Sequence, residues 1–234
     1  MKVLMSGNEA IARGAYEAGV RFGAAYPGTP STEILEEFSK YEGVYAEWSP
    51  NEKVAVEVAI GAALSGAKAM AVMKHVGVNV AADPIFTVSY TGTNGALVIV
   101  SADDPSLHSS QNEQDNRNYA KFAKIPMLEP ADAREAKEYI KLAFEISEKF
   151  DTPVFLRSTT RVAHSKSVVN IDEPAEYTDR TGFTFNAEKY VMVPINARTQ
   201  RVKLEKRQRA LKKFVETFPE NKMEINNPEV GIIT

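Results

Sequence analysis

The chain predicts an α/β fold, a parallel sheet with helices on both faces, over residues 1–160. Two observations carry that prediction. From Asn8 to Arg157, strand-length apolar runs alternate with helix-length segments. Two of those runs, Phe22–Tyr26 and Ala96–Val100, read as buried strands. Repeated strand–helix units of this length imply parallel strands joined by crossovers.

Taken in order, Asn8–Ala18 reads as a small-residue helix ended by Gly19, and Phe22–Tyr26 as a strand. Ser31–Lys40 is amphipathic through Ile34, Leu35 and Phe38, and Val44–Trp48 is the next strand. The helix after it is expected over Pro50–Ser65, with Ser49 as N-cap, Pro50 as first helical residue and Glu52 third. Val54, Val58 and Ala62 recur at i+4, and Gly66 closes the helix. Its Ala and Gly content implies that something approaches it closely. Lys68–Lys74 is a strand opening into a loop, His75–Asn79, and Ala81–Tyr90 is helical. After Ala96–Val100 comes a long polar loop, Ser101–Arg117. A helix is expected within Gln114–Lys124, a short strand at Pro126–Leu128, a long helix over Asp132–Lys149 and a strand over Pro153–Arg157.

Residues 161–234 read differently, as a linker arm. Val162–Pro194 lacks a sustained period and carries turn signals at Asp172-Glu173-Pro174 and Arg180-Thr181-Gly182. Ala197–Phe218 is a basic amphipathic helix with Leu204, Leu211, Val215 and Phe218 on its apolar face. Without interleaved aromatics for stacking, its charges read as a solvated or docking face, not a nucleic-acid site. Glu229–Thr234 reads as the opening strand of a further α/β domain.

The totals exclude several classes. The chain has 234 residues, 44% hydrophobic and 25% charged, with a net charge of -3, so nothing global calls for nucleic acid or an anionic membrane. No apolar run approaches the roughly 20 residues of a membrane span, and Met1–Met5 is too short for a signal peptide. A cytoplasmic location is the default. Zero cysteines leave no thiolate ligand, so an iron–sulfur cluster would need a different segment. His75, His108 and His164 are too scattered for a metal site, and Asp104, Ser106 and His108 too crowded for a triad.

Ligands of open parallel sheets bind beyond the carboxyl ends of the strands. Four stretches qualify: Pro27–Pro30, Ser49–Glu52, Lys74–Asn79 and Ser101–Asp115. Gly28 lets a ligand near the backbone, and Thr29 is placed to cap the next helix while free N–H groups receive a carboxylate. His75 ends a strand, and Gly77 allows close approach. By pattern alone, Ser49-x-x-Glu52 is a capping box.

Four ordered motifs add to this: Tyr26-Pro27-Gly28-Thr29-Pro30-Ser31; Asn51-Glu52-Lys53; Met73 to Pro84, with Lys74-His75-Val76-Gly77-Val78-Asn79 at its head; and His108 to Asp115. Together they resemble the pyrimidine-binding domain of the thiamine-diphosphate-dependent 2-oxoacid:ferredoxin oxidoreductases, most closely the indolepyruvate branch. The resemblance implies that Glu52 hydrogen-bonds N1′ of the cofactor's aminopyrimidine and so favours the tautomer that takes the proton from thiazolium C2. It implies cofactor contacts at His75, Val76, Gly77 and Asn79, and a substrate site at Gly28, Thr29 and His75. A carboxyl donating to N1′ must be neutral. Exclusion of water by the ring favours that form, and the helix dipole opposes it.

The Gly-Asp-Gly that holds Mg²⁺ and diphosphate in that family is absent, so those ligands are expected on a different segment. Pyruvate-specific relatives carry an arginine where this chain reads Asp103-Asp104-Pro105, which points to an aromatic 2-oxoacid. The implied activity is oxidative decarboxylation of aryl pyruvates to acyl-CoA with electrons passed to ferredoxin, in a homo- or hetero-oligomer with a second, smaller subunit and the remaining domains of the same polypeptide. The fragment alone is expected to be inactive. A non-oxidative thiamine-diphosphate decarboxylase of the sulfopyruvate or phosphonopyruvate type shares the glutamate–helix element, and a non-catalytic assembly module is the reading from another class.

Overall fold

The computed structural model describes residues 1–175, 182–221, 225 and 229. β1 (Lys2–Ser6) leads into α1 (Gly7–Glu17), β2 (Phe22–Ala25), α2 (Thr32–Phe38), β3 (Tyr45–Trp48) and α3 (Glu52–Leu64). Then come β4 (Lys68–Lys74), α4 (His75–Val80), α5 (Ala82–Thr91), β5 (Ala96–Asp103), α6 (Arg117–Ala123) and β6 (Met127–Leu128). α7 (Ala133–Phe150), β7 (Val154–Thr159), α8 (Thr160–His164), β8 (Lys166–Asn170), α9 (Ala187–Tyr190) and α10 (Pro194–Glu216) complete the chain.

Six of the strands form one parallel sheet in the order β3-β2-β4-β5-β7-β6. Every residue of β5 is buried, because helices cover both faces of the sheet there. One face packs Ile11 of α1, Phe38 of α2, and Ile140 and Phe144 of α7. The other packs Val56 of α3, Val78 of α4, Ile85 of α5 and Ala120 of α6. The expected α/β architecture is therefore present. α1 begins with a true capping box: Ser6 N–H donates to Glu9 Oε2 at 2.6 Å, and Glu9 N–H to Ser6 Oγ at 3.3 Å.

Three local expectations are corrected. The first concerns α3, which starts at Glu52, not Pro50. Ser49 N–H donates to Ala25 O at 2.8 Å, which extends the β2–β3 ladder by one residue and holds Ser49 in strand geometry. Asn51, at φ -164° and ψ 172°, becomes the cap instead, its Oδ1 accepting from Val54 N–H at 3.0 Å. There is no capping box between Ser49 and Glu52. Second, His75–Asn79 lies in a helix, not a loop, because buried Val78 ties that turn to the core. Third, where the sequence reading assigned no element, β1 (Lys2–Ser6) pairs antiparallel with β8, Leu4 opposite Val168.

Beyond residue 160 the chain returns to the body of the fold. α10 runs Pro194–Glu216, with Pro in its first turn and Leu204 and Leu211 buried; Val215, expected on the apolar face, is exposed. Arg207 Nη1 donates to Ser89 O at 2.7 Å, and Glu205 pairs with Lys124 at 3.1 Å. The expected strand over Glu229–Thr234 and the turn at Arg180-Thr181 lie outside the described residues, Glu229 apart.

Candidate active site

From β2 the chain passes to β3 on one side; from β4 it passes to β5 on the other. Neighbouring strands whose connections diverge leave a crevice at their carboxyl ends. The loop after β2 and the start of α4 flank that crevice, with the N-terminus of α3 beside them.

Glu52 is the first residue of α3 and only 8% exposed. Since Asn51 supplies the cap, the Glu52 carboxyl is not consumed in ending the helix. It lies against Gly77 of α4: a Cβ built on Gly77 would sit 2.5 Å from Glu52 Cγ and 2.7 Å from Oε1. Only glycine fits there. Close by, the buried hydroxyl of Ser49 finds no partner among the described residues.

His75 is the first residue of α4, and its ring is wholly buried. Nε2 lies 3.0 Å from Asn112 O. A carbonyl only accepts, so Nε2 donates a proton to it, while Nδ1 has no partner among the described residues. Asn116 extends the tie, its Nδ2 donating to His75 O at 3.2 Å and to Ser101 Oγ at 2.6 Å. His75 thus fastens α4 to the polar loop after β5. Asn79, at the exposed end of α4, accepts from Tyr119 OH at 2.7 Å, and Val76 is half-buried.

The loop after β5 has an internal anchor. Buried Asp104 accepts from Ser110 Oγ at 2.5 Å, Ser109 N at 2.8 Å, Thr160 Oγ1 at 2.8 Å and His108 N at 3.3 Å. Burial acts to raise its pKa, but those four donors outweigh it and hold the carboxyl well below the usual range. Asp103 beside it accepts from buried Arg157 Nε at 2.8 Å, and Arg157 also pairs with Glu129.

After β2, Thr29 is exposed but does not cap α2. The Gly28 N–H expected to be free is taken by Thr32 Oγ1 at 2.9 Å, and Gly28 O accepts from Ser31 N–H at 2.8 Å and Ser31 Oγ at 2.7 Å. The turn is closed on itself, so a ligand there meets Thr29 and the peptide face of Gly28. Gly28 and Thr29 lie in the turn after β2, Glu52 starts α3, and His75, Val76, Gly77 and Asn79 lie in α4. The sequence names Asn51 and Asp104 without revealing the cap and the loop anchor they provide, and it gives no sign of Asn116, because these polar residues take their roles from partners that the fold supplies. Among the described residues, no group of three or more His, Cys, Asp or Glu is arranged to hold a metal ion.

Relatives are informative at this point. "Indolepyruvate oxidoreductase subunit IorA" of Archaeoglobus fulgidus is 48% identical over 240 residues, covering 99% of this chain and 38% of that protein. The protein of the same name from Pyrococcus horikoshii is 50% identical over 244 residues, covering 99% and 37%. "2-oxoglutarate synthase subunit KorA" of Methanocaldococcus jannaschii is 31% identical over 77% of this chain and 52% of that protein. The chain thus spans less than two fifths of the length of the two indolepyruvate relatives. A solved 2-oxoglutarate:ferredoxin oxidoreductase from Magnetococcus marinus, with 2-oxoglutarate, coenzyme A and succinyl-CoA bound, shares the fold at a TM-score of 0.69. It is 18% identical and covers 91% of this chain and 45% of that one. The family model described as "Pyruvate flavodoxin/ferredoxin oxidoreductase, thiamine diP-bdg" matches residues 13–226, and to that thiamine diphosphate-binding family this chain belongs.

Proposed function

We propose that this chain is the pyrimidine-binding segment of a 2-oxoacid:ferredoxin oxidoreductase acting on aryl pyruvates such as indolepyruvate. One observation carries the reading: a carboxyl freed from helix capping, nearly buried, and seated over a glycine at the crevice of the sheet. The names of the indolepyruvate relatives support the substrate.

The residues fit the cofactor's pyrimidine end. Glu52 presents a carboxyl to a ring nitrogen, Gly77 keeps that carboxyl clear of α4, and Val76 and Asn79 border the same turn. When bound, thiamine diphosphate supplies a nucleophilic carbon and an electron sink for loss of carbon dioxide from a 2-oxoacid. Glu52 holds a proton at the ring nitrogen, from a nearly buried position at the start of α3. Gly28 and Thr29 face the substrate side of the crevice, while His75 positions α4 and the loop through Asn112. Mg²⁺ and the diphosphate ligands belong to other segments, since this chain lacks the Gly-Asp-Gly that holds them in the family, and the iron–sulfur clusters do too, since it has no cysteine. A second, smaller subunit, ferredoxin and CoA complete the reaction, in the cytoplasm.

The test is reconstitution of the complete enzyme and assay of indolepyruvate- and CoA-dependent ferredoxin reduction. Release of the aldehyde with no electrons reaching ferredoxin would move the chain to the non-oxidative decarboxylases. Failure to retain thiamine diphosphate would leave an assembly module.

A further inference from the structure

Resting on the proposed 2-oxoacid chemistry, we infer that Lys74 is the group that binds the substrate's carboxylate. A 2-oxoacid is an anion, and a site that holds it in a fixed pose requires a cation or a set of donors at the crevice. The cations at this end of the sheet are mostly engaged. Arg157 is buried against Asp103 and Glu129, Arg117 is paired with Asp115 at 2.7 Å, and Lys53 lies 3.9 Å from Glu57. Arg161 follows β7, two strands away from β4 in the sheet order. Asp104 adds no positive charge, and its four donors are turned inward on it. Two of the residues that the resemblance implies for the substrate supply no such charge at the crevice. The ring of His75 is wholly buried, and Thr29 brings a neutral hydroxyl.

Lys74 is placed differently. It is the last residue of β4 and the N-cap of α4, at the point where the connections from β2 and β4 diverge. Its stem passes beside the turn after β2: a Cβ on Gly28 would lie 3.0 Å from Lys74 Cβ and 3.5 Å from Cδ, so the glycine leaves the lysine its course. Its ammonium reaches across to the loop after β5 and donates to Ser109 O at 2.5 Å. Among the described residues, that neutral carbonyl is its hydrogen-bond acceptor and no carboxylate lies within 4.0 Å. An ammonium has three donors, so two remain for an anion. From Lys74 it is one helical turn to Gly77, on which Glu52 rests. The fold therefore puts a cation that has no carboxylate within 4.0 Å among the described residues one helical turn from the glycine over which Glu52 sits.

The experiment uses the complete thiamine-diphosphate-loaded holoenzyme and compares wild type, Lys74→Gln and Lys74→Arg. Titration calorimetry measures two unreactive probes, indole-3-propionate and its amide. Wild type is expected to prefer the carboxylate, and Lys74→Gln to lose that preference by roughly 10–100-fold while binding the amide as before, the range for a hydrogen bond to a charged group. Lys74→Arg retains the preference. In turnover, Lys74→Gln should raise KM for indolepyruvate by a similar factor with kcat changed far less, because the ion pair acts on substrate in the ground state. Glutamine keeps an N–H donor on a shorter stem, and Lys74→Arg keeps both the charge and the reach to Ser109 O. A Gln variant that keeps the carboxylate preference, or loses both probes equally, reduces Lys74 to a tether for that loop and overturns the inference. A wild-type holoenzyme that holds the cofactor but turns over no 2-oxoacid defeats instead the function on which the inference rests.

Discussion

Gly77 and Glu52 meet side chain to backbone, with no room for a methyl group between them: the missing Cβ of Gly77 would stand 2.5 Å from Glu52 Cγ. The contact predicts a change of sign. Within a helix, alanine is favoured over glycine by about 0.5–1 kcal/mol, whereas an overlap of this kind costs about 1–3 kcal/mol. Gly77→Ala should therefore lower stability in wild type. In a Glu52→Ala background, where the overlap is gone, the same change should raise it by up to about 1 kcal/mol. Denaturant melts of the four proteins form the double-mutant cycle, and effects of equal sign in both backgrounds would mean that the two residues do not meet.

A second prediction concerns acid. In the fold, the Asp104 carboxyl is held below its unfolded value of about 3.9 by Ser110, Ser109, Thr160 and His108, against the opposing effect of burial. A depressed carboxyl contributes stability above the unfolded pKa and loses it as pH falls through the folded one. Stability from Asp104 should thus be constant near neutrality and decline below about pH 4. Asp104→Ala should cost about 2 kcal/mol at pH 7, and the gap to wild type should narrow toward pH 2. A gap that is flat from pH 7 to pH 2 would count against the anchor.

The alternation of strands and helices was legible because it is local: each apolar run and each turn former announces itself within ten residues. β1 was not. Its five residues are ordinary until β8 arrives some 160 positions later to pair with them. α4 was read as a loop because Gly77 and Asn79 favour turns, while the packing of Val78 decides otherwise. At Ser49-Pro50 the local signal for a helix start was strong, and one ladder hydrogen bond to Ala25 overrode it. Glu52 and Gly77 stand out locally, as a helix-start carboxylate and a glycine after a strand, while the cofactor role of Glu52 comes from the motif resemblance. Lys74 gained meaning only from what surrounds it, since a lysine's role depends on whether an anion is already paired with it.

The third prediction lies at the join between α1, α7 and the segment after β8. The side chain of Lys137 is wholly buried, with Glu17 at 2.7 Å, Asp172 at 2.7 Å and Glu138 at 3.1 Å. Burial acts to lower its pKa, but hydrogen bonds to Asp172, Glu17 and Glu138 outweigh this and raise it, so the lysine stays charged. Lys137→Met takes from Glu17 its fully buried cation, leaving Arg13 at 2.8 Å and Lys141 at 3.6 Å as its charged partners, and should cost about 2–3 kcal/mol. Adding Glu17→Gln removes the under-compensated charge and should recover part of that loss. No recovery in the double variant would show that packing, not charge, was the cost.

The last prediction separates two neighbours that the sequence had fused into one motif. Asn51 ends the helix and Glu52 does not, so their substitutions should fail in different assays. Asn51→Ala removes the acceptor for Val54 N–H and should cost about 1 kcal/mol of stability. Hydrogen–deuterium exchange at C2 of bound cofactor in the complete enzyme should stay within about threefold of wild type. Glu52→Gln keeps the shape over Gly77 and leaves the cap untouched, so stability should move by less than about 1 kcal/mol. It removes the acidic proton, however, and C2 exchange should slow by roughly 10²–10⁴, the range for one acid–base group. Melting temperature and C2 exchange, measured on both variants, give four numbers with an expected cross pattern. If Glu52→Gln exchanges at the wild-type rate, the carboxyl over Gly77 is a packing feature, and the cofactor's activator must be sought on another segment.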